Sequence, residues 1–184
     1  MEIFSLLLAG LLANNCFAAT GTGVDVTTSK FTTFKNATIY SILVLCVGLL
    51  SGITYYLSFQ ILESYGLLSF SFFVAIIIVA IFVQMAEFVA RKAMPKFYSQ
   101  AKYFVPILAS TLFIFMFFSG INLLGGFGEM IVTIIGQAFG LWVVLCLIAG
   151  VRRSCASLPI SSAFNGNLLS LIIILVLMII WTAF

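Results

Sequence analysis

The fold class that this sequence predicts is an all-α integral membrane protein of six transmembrane helices, and three observations predict it. The chain of 184 residues is 64% hydrophobic and only 7% charged, with a mean hydropathy of +1.30. Its apolar residues gather into six stretches of about 20, the length of helix that crosses a hydrocarbon layer ~30 Å thick. Its eight Lys and Arg residues fall only in alternate connections between those stretches. A water-soluble domain needs more polar surface than this composition supplies. Lipid instead requires each backbone N–H and C=O to be paired within its own segment, which favours helices.

The predicted spans cover residues 3–20, 39–62, 67–89, 104–124, 130–151 and 168–184. The first resembles a secretory signal, because Cys16-Phe17-Ala18-Ala19 offers small residues after an apolar run. Signals begin with positive charge and stay apolar, whereas this one begins Met1-Glu2 and is broken by Asn14-Asn15, so span one is expected to be retained. Lys30 and Lys35 precede span two. Glu63 lies in the connection to span three, which runs out into Arg91, Lys92, Lys96 and Lys102. Span four opens on Pro106 and Ser110-Thr111. The run Gly125-Gly126-Phe127-Gly128 reads as a hairpin turn before span five, since glycine supplies positive φ angles there. Arg152 and Arg153 follow span five, and span six ends the sequence.

Short loops rich in Lys and Arg stay cytoplasmic, while acidic residues contribute little to that bias. The expected location is therefore the inner, cytoplasmic membrane, with basic loops cytoplasmic and both termini outside. A single transmembrane domain, 1–184, is expected to divide into halves of three spans, approximately 1–92 and 93–184. An odd number of spans per half places the halves in opposite orientations, the layout of an inverted repeat of 3+3 helices. Spans one and four are the interrupted ones, by Asn14-Asn15 and Gly21-Thr22-Gly23 in the first and by Pro106 and Ser110-Thr111 in the second.

A net charge of +3 without a Lys/Arg run interleaved with aromatics sets nucleic-acid binding aside. No His is present, and Cys16, Cys46, Cys146 and Cys155 lack CxxC spacing. Tetrahedral zinc and His-based catalysis are not expected, and each Cys alone reads as a small buried apolar residue. No nucleophile elbow or carboxylate pair suggests a self-contained enzyme.

The polar positions inside the spans are the candidate site. Gln84 and Glu87 share a helical face near the end of span three, and Arg91 continues it at i+4 from Glu87. Two roles are open to Glu87: a functional carboxylate on an ion path, or one half of an ion pair anchoring the helix end. Asn14 and Asn15 read either as glue between helices or as part of a broken-helix site. Ser110 and Thr111 mark the corresponding break in span four.

The run Val83-Gln84-Met85-Ala86-Glu87-Phe88-Val89-Ala90-Arg91-Lys92, with Pro95, Tyr98 and Phe104-Val105-Pro106 after it, resembles the VQxxExxxRKxxPxxY…FLP pattern of a known family. That family comprises RnfA and NqrE, six-helix membrane subunits of the Rnf and Na⁺-translocating NADH:quinone oxidoreductase complexes. Weaker matches follow in the right order: Asn14-Asn15, Gly23, Ser29-Lys30, Val151-Arg152 and Phe164-Asn165-Gly166-Asn167. The resemblance implies an inverted repeat paired with a homologous subunit of opposite topology. It also implies a [2Fe–2S] cluster held at their interface by Cys residues from the broken helices, with flavins and further Fe–S clusters in partner subunits. Carried over by position, the family's cluster Cys residues fall on Asp25 and Leu112, with Cys16 the nearest fallback. Fe–S clusters are normally held by four thiolates, so no cofactor is expected on this chain alone.

The expected function is that of a membrane subunit of an Rnf/Nqr-like ion-translocating electron-transport complex, structural or ion-conducting rather than redox. A different class of reading is a six-helix, vitamin-type small-molecule transporter component, in which the broken helices would bind the substrate.

Overall fold

The computed structural model describes residues 34–93, Tyr98, 126–155 and 167–182. Four α-helices account for nearly all of them: α1, Phe34–Ser64; α2, Ser71–Ala93; α3, Phe127–Cys155; and α4, Asn167–Thr182. A single 3-10 turn, Leu68–Phe70, leads into α2. No strand occurs among the described residues. The chain is an all-helical membrane protein, with three segments long and apolar enough to cross a bilayer at Phe34–Ser64, Leu68–Lys92 and Phe127–Cys155. These are the predicted spans two, three and five. Helix α4 falls on span six, while spans one and four lie outside the described residues.

The helices outrun the apolar stretches that announce them. Helix α1 begins five residues before the predicted span, taking Lys35 and Asn36 into its first turn. Helix α3 begins at Phe127, so Gly128 belongs to the helix and not to the turn expected there. Hydropathy marks only the part of a helix in hydrocarbon, and nothing stops the backbone ladder from continuing into the headgroup layer. With 31 and 29 residues, α1 and α3 are about 46 and 43 Å long, against ~40–45 Å for a bilayer with its headgroups.

Glycine ends one helix and starts another. Gly66 has φ +69°, and its N–H reaches the Glu63 carbonyl at 3.0 Å while the Leu67 N–H reaches that of Leu62 at 2.8 Å. This is a Schellman ending of α1, which requires the left-handed conformation that glycine adopts without steric cost. Gly126, at φ +114°, accepts the first bond of α3, from the Met130 N–H at 3.1 Å.

Hydroxyl groups inside the spans satisfy themselves locally. Ser41, Ser51, Thr54, Ser58 and Thr133 each donate to the carbonyl four residues earlier, at 2.7–3.0 Å. A helix can thereby carry hydroxyls through lipid without orphaned donors. No buried side-chain nitrogen or oxygen among the described residues lacks a partner.

The chain forms two compact units, each built from parts of α1 and α3. The first contains residues 34–42 of α1, 136–155 of α3, and α4. In it Ala37, Tyr40 and Ser41 are buried, as are Leu141, Val144, Leu145 and Ile148, and Val144 and Ile148 cluster with Ile174 of α4. The Trp142 indole N–H donates to Thr38 Oγ1 at 3.2 Å, and a Cβ placed on Gly150 would lie 3.8 Å from Phe34 Cζ. Moving forward along α1 from Phe34 to Thr38 therefore moves backward along α3 from Gly150 to Trp142. The two helices are antiparallel, and Lys35 lies at the same end as Arg152 and Arg153.

The second unit contains residues 43–64 of α1, the 3-10 turn, α2, Tyr98 and 126–135 of α3. Val44, Val47, Ser51 and Tyr55 are the buried stripe of α1, and Ala75, Ile78, Val79 and Val83 that of α2. Tyr56 stacks at 5.5 Å on Phe127, which again sets α1 against the start of α3. Helix α2 leaves a broad apolar face open, from Phe73 through Ile77 and Ile81 to Met85 and Phe88. In a membrane such a face meets lipid or another helix, and side chains at i, i+4, i+8 keep it continuous.

Candidate functional site

The end of α2 assembles the polar residues that the sequence singles out there. Glu87 Oε1 accepts from Arg91 Nη2 at 2.5 Å and from the Tyr98 hydroxyl at 3.0 Å. Arg91 Nη2 also donates to Tyr98 Oη at 3.1 Å, closing a three-membered ring of hydrogen bonds. The guanidinium carbon lies 5.2 Å from the centre of the Tyr98 ring, and Lys92 Nζ lies 4.5 Å from that of Phe88. Each contact has a local cause. Glu87 and Arg91 are one helical turn apart, the spacing at which opposite charges meet. Arg91 and Lys92 occupy the last turn, where cations offset the negative end of the helix dipole. Both stems run along aromatic faces, as amphipathic side chains do at a membrane boundary.

The arrangement ties a residue of the following connection, Tyr98, to the helix end. Glu87 is 30% exposed and Arg91 63% exposed, so the ring sits at a wet boundary and not in the hydrocarbon interior. Gln84, one turn back, is exposed on α2 and is not part of the ring. The structure thus brings Glu87, Arg91 and Tyr98 together and leaves Gln84 apart on the apolar face. Asn14, Asn15, Cys16, Asp25, Ser110, Thr111 and Leu112 lie outside the described residues.

Two features escape a reading of the sequence. Tyr98 enters there only as part of a motif, and nothing in its local spacing announces an eleven-residue contact with Glu87. Gln137, in the middle of α3, is 1% exposed and engaged by a partner. A lone carboxamide inside span five is its visible signal, since amides within a membrane span must find partners. The cysteines correct another expectation. Cys46 is exposed, and Cys146 and Cys155 are partly so, hence none of these three is a buried filler. Cys46 falls on the outward stripe of α1 with Ile42 and Leu50, where a small apolar thiol is as acceptable to lipid as to a core.

No group of three or more His, Cys, Asp and Glu side chains among the described residues could hold a metal ion. The two positions to which the resemblance assigns cluster ligands carry Asp25 and Leu112, one hard oxygen donor and one side chain with no donor. That set does not fit a thiolate-held Fe–S cluster.

An all-helical membrane subunit with a glutamate–arginine–tyrosine ring closing its third predicted span is the class that these features define. The chain belongs to the Rnf-Nqr family, described as Rnf-Nqr subunit, membrane protein, whose profile matches residues 3–184. Among individual relatives, it is 29% identical over 124 residues to RnfA-type protein of the ion-translocating oxidoreductase complex from Syntrophotalea carbinolica, covering 66% of this chain and 64% of that protein. It is 26% identical over 125 residues to the corresponding component of the Na⁺-translocating ferredoxin:NAD⁺ oxidoreductase complex from Acetobacterium woodii, covering 65% and 63%. With the corresponding component of the ion-translocating oxidoreductase complex from Pectobacterium atrosepticum it shares 30% over 98 residues, 53% and 51% of the two chains. The chain thus spans between half and just under two thirds of the length of these relatives.

Proposed function

We propose that this chain is a membrane subunit of an Rnf/Nqr-like ion-translocating electron-transport complex, paired with a homologous subunit of opposite topology, and that its own role is structural or ion-conducting rather than redox. The family match over residues 3–184 carries the first part of this reading. The relatives named above are subunits of ion-translocating oxidoreductase complexes, which supports a multi-subunit assembly. The replacement of thiolates by Asp25 and Leu112 supports the second part, because neither residue can ligate an Fe–S cluster as Cys does. In this reading, flavins and clusters reside on partner subunits. The chain is a single transmembrane domain whose halves, approximately 1–92 and 93–184, are inverted repeats. Asn14, Asn15, Ser110 and Thr111 mark the helix breaks, and Gln84 and Glu87 flank the path of the coupling ion.

The orientation follows the same logic. The chain sits in the inner membrane with its basic ends cytoplasmic and both termini outside. Antiparallel packing that puts Lys35 at the same end as Arg152 and Arg153 supports it, since one leaflet then receives all three cations.

Affinity purification of the tagged full chain from mildly solubilised membranes tests the assignment. A second family member and flavin- or cluster-bearing subunits should co-purify. Recovery of an ATPase and a bound small molecule in their place would refute it and restore the transporter reading.

A further inference from the structure

The first compact unit concentrates positive charge at one end. Its described residues include Lys35, Arg152 and Arg153 and no Asp or Glu. The contrast with α2 is instructive, because there Glu87 neutralises Arg91. Arg152 is half-buried and already engaged by a partner, whereas Lys35 and Arg153 are exposed. Lys35 is the second residue of α1 and Arg153 the third from the end of α3. Helices of these lengths place their ends in the headgroup layer.

An apolar, aromatic seam runs inward from this end. Phe34 packs beside Gly150, Trp142 is fixed by its bond to Thr38, and Phe139 stacks on Trp142 at 5.3 Å. Phe34 and Phe139 are exposed. Two unneutralised cations at headgroup depth, above an open apolar track in the hydrocarbon, match the two parts of one molecule. The orphan N–H groups in the first turn of α1 add further positive potential at the same place.

We propose that the α1–α3 seam of this unit binds an anionic phospholipid, its phosphate held by Lys35 and Arg153 and an acyl chain laid along Phe34, Trp142 and Phe139. A zwitterionic lipid has the same chain but carries its own cation, which Lys35 and Arg153 repel. Basic sites between transmembrane helices select lipids in this way. An acidic protein segment would satisfy the cations and leave the seam below them without an occupant.

Trp142 provides the reporter. In the full chain carrying Trp181→Phe, Trp142 is the only tryptophan, and its fluorescence is read in phosphatidylcholine vesicles containing a minor fraction of acyl-brominated lipid. Brominated phosphatidylglycerol should quench Trp142 several-fold more than brominated phosphatidylcholine at equal fraction. Lys35→Gln with Arg153→Gln should remove that excess, about five-fold in lipid affinity for each charge lost, while Lys35→Arg with Arg153→Lys should keep it. Should the neutral variant not fold, high salt on the unaltered chain serves instead, because an exposed charge pair is screened within a few ångströms at molar ionic strength. Equal quenching by the two lipids overturns the proposal, as does an excess that survives high salt. Equal quenching together with loss of a co-purifying protein from the neutral variant's complex would assign the cations to a protein instead.

Discussion

Adjacent residues on α3 make opposite predictions about packing, and membrane physics fixes the size of each. Ile148 is 1% exposed and clusters with Val144 and Ile174, while Leu147 is 46% exposed. In water, truncating a buried Ile to Ala loses a transfer term and a cavity term together, about 2–5 kcal/mol. Lipid removes most of the transfer term, since an unpacked side chain exchanges helix neighbours for equally apolar acyl chains. What remains is the cavity left by three carbons, roughly 80 Å³, which at ~24 cal/mol per Å³ comes to about 2 kcal/mol. Ile148→Ala should therefore destabilise the chain by about 2 kcal/mol, and Leu147→Ala by less than about 0.5 kcal/mol. Reversible unfolding of the full chain in mixed micelles, followed by circular dichroism against the fraction of denaturing detergent, measures both. Equal costs for the two variants, or a larger cost at Leu147, would refute the packing of α3 against α4.

Other consequences are open to direct measurement. In a background without native cysteines, Ser64→Cys and Gly128→Cys should label from outside intact cells and Ser99→Cys should not; Gly128 is chosen because a Cβ there meets nothing within 4 Å, whereas Gly126 is held at φ +114°. Labelling of Ser99→Cys from outside would invert the orientation. Glu87→Gln should reduce coupled ion and electron transfer in the assembled complex while assembly itself persists, and Tyr98→Phe should do so more weakly, since the Glu87–Arg91 pair survives it. Unchanged transfer in Glu87→Gln would leave the ring as a helix anchor only. Replacing Cys16, Cys46, Cys146 and Cys155 together should leave the iron content of the purified complex unaltered. A fall equal to one cluster, or the disappearance of a [2Fe–2S] electron paramagnetic resonance signal, would show that this chain supplies ligands.

The helices are legible in the sequence because lipid leaves so little choice. An apolar run of about 20 residues with its charges at the ends can only be a span, and Ile39 to Leu62, Leu67 to Val89 and Met130 to Val151 all coincide with observed helical segments to within a residue. Helix ends are less legible because hydropathy records where hydrocarbon stops, while the backbone ladder continues. Lys35 and Asn36 read as loop residues but form the first turn of α1. The turn at Gly66 is hidden for a different reason: one glycine among fourteen reveals a left-handed cap only once its neighbours' hydrogen bonds are known. Within the candidate site, the Glu87–Arg91 pair is readable from its spacing. The Tyr98 contact is not, since it depends on how the connection turns after α2.

The same distinction bears on what Glu87 does. A lone carboxylate in a span demands a function, because its charge is costly in hydrocarbon, but a carboxylate held by Arg91 and Tyr98 has already found its counter-charge. Neutralising it exposes Arg91 and frees Tyr98, so any effect on transport would run through the position of the connection between α2 and the next predicted span. That connection carries Lys96 and Lys102 and leads to Pro106, the first residue of the predicted helix break. Glu87 can therefore influence the coupling ion without touching it, by fixing where the broken helix begins. Double substitution distinguishes the two routes. If Glu87 acts only through the ring, adding Tyr98→Phe to Glu87→Gln should cost nothing further, because residues in one hydrogen-bonded network are non-additive. If the carboxylate itself meets the ion, the two losses should multiply.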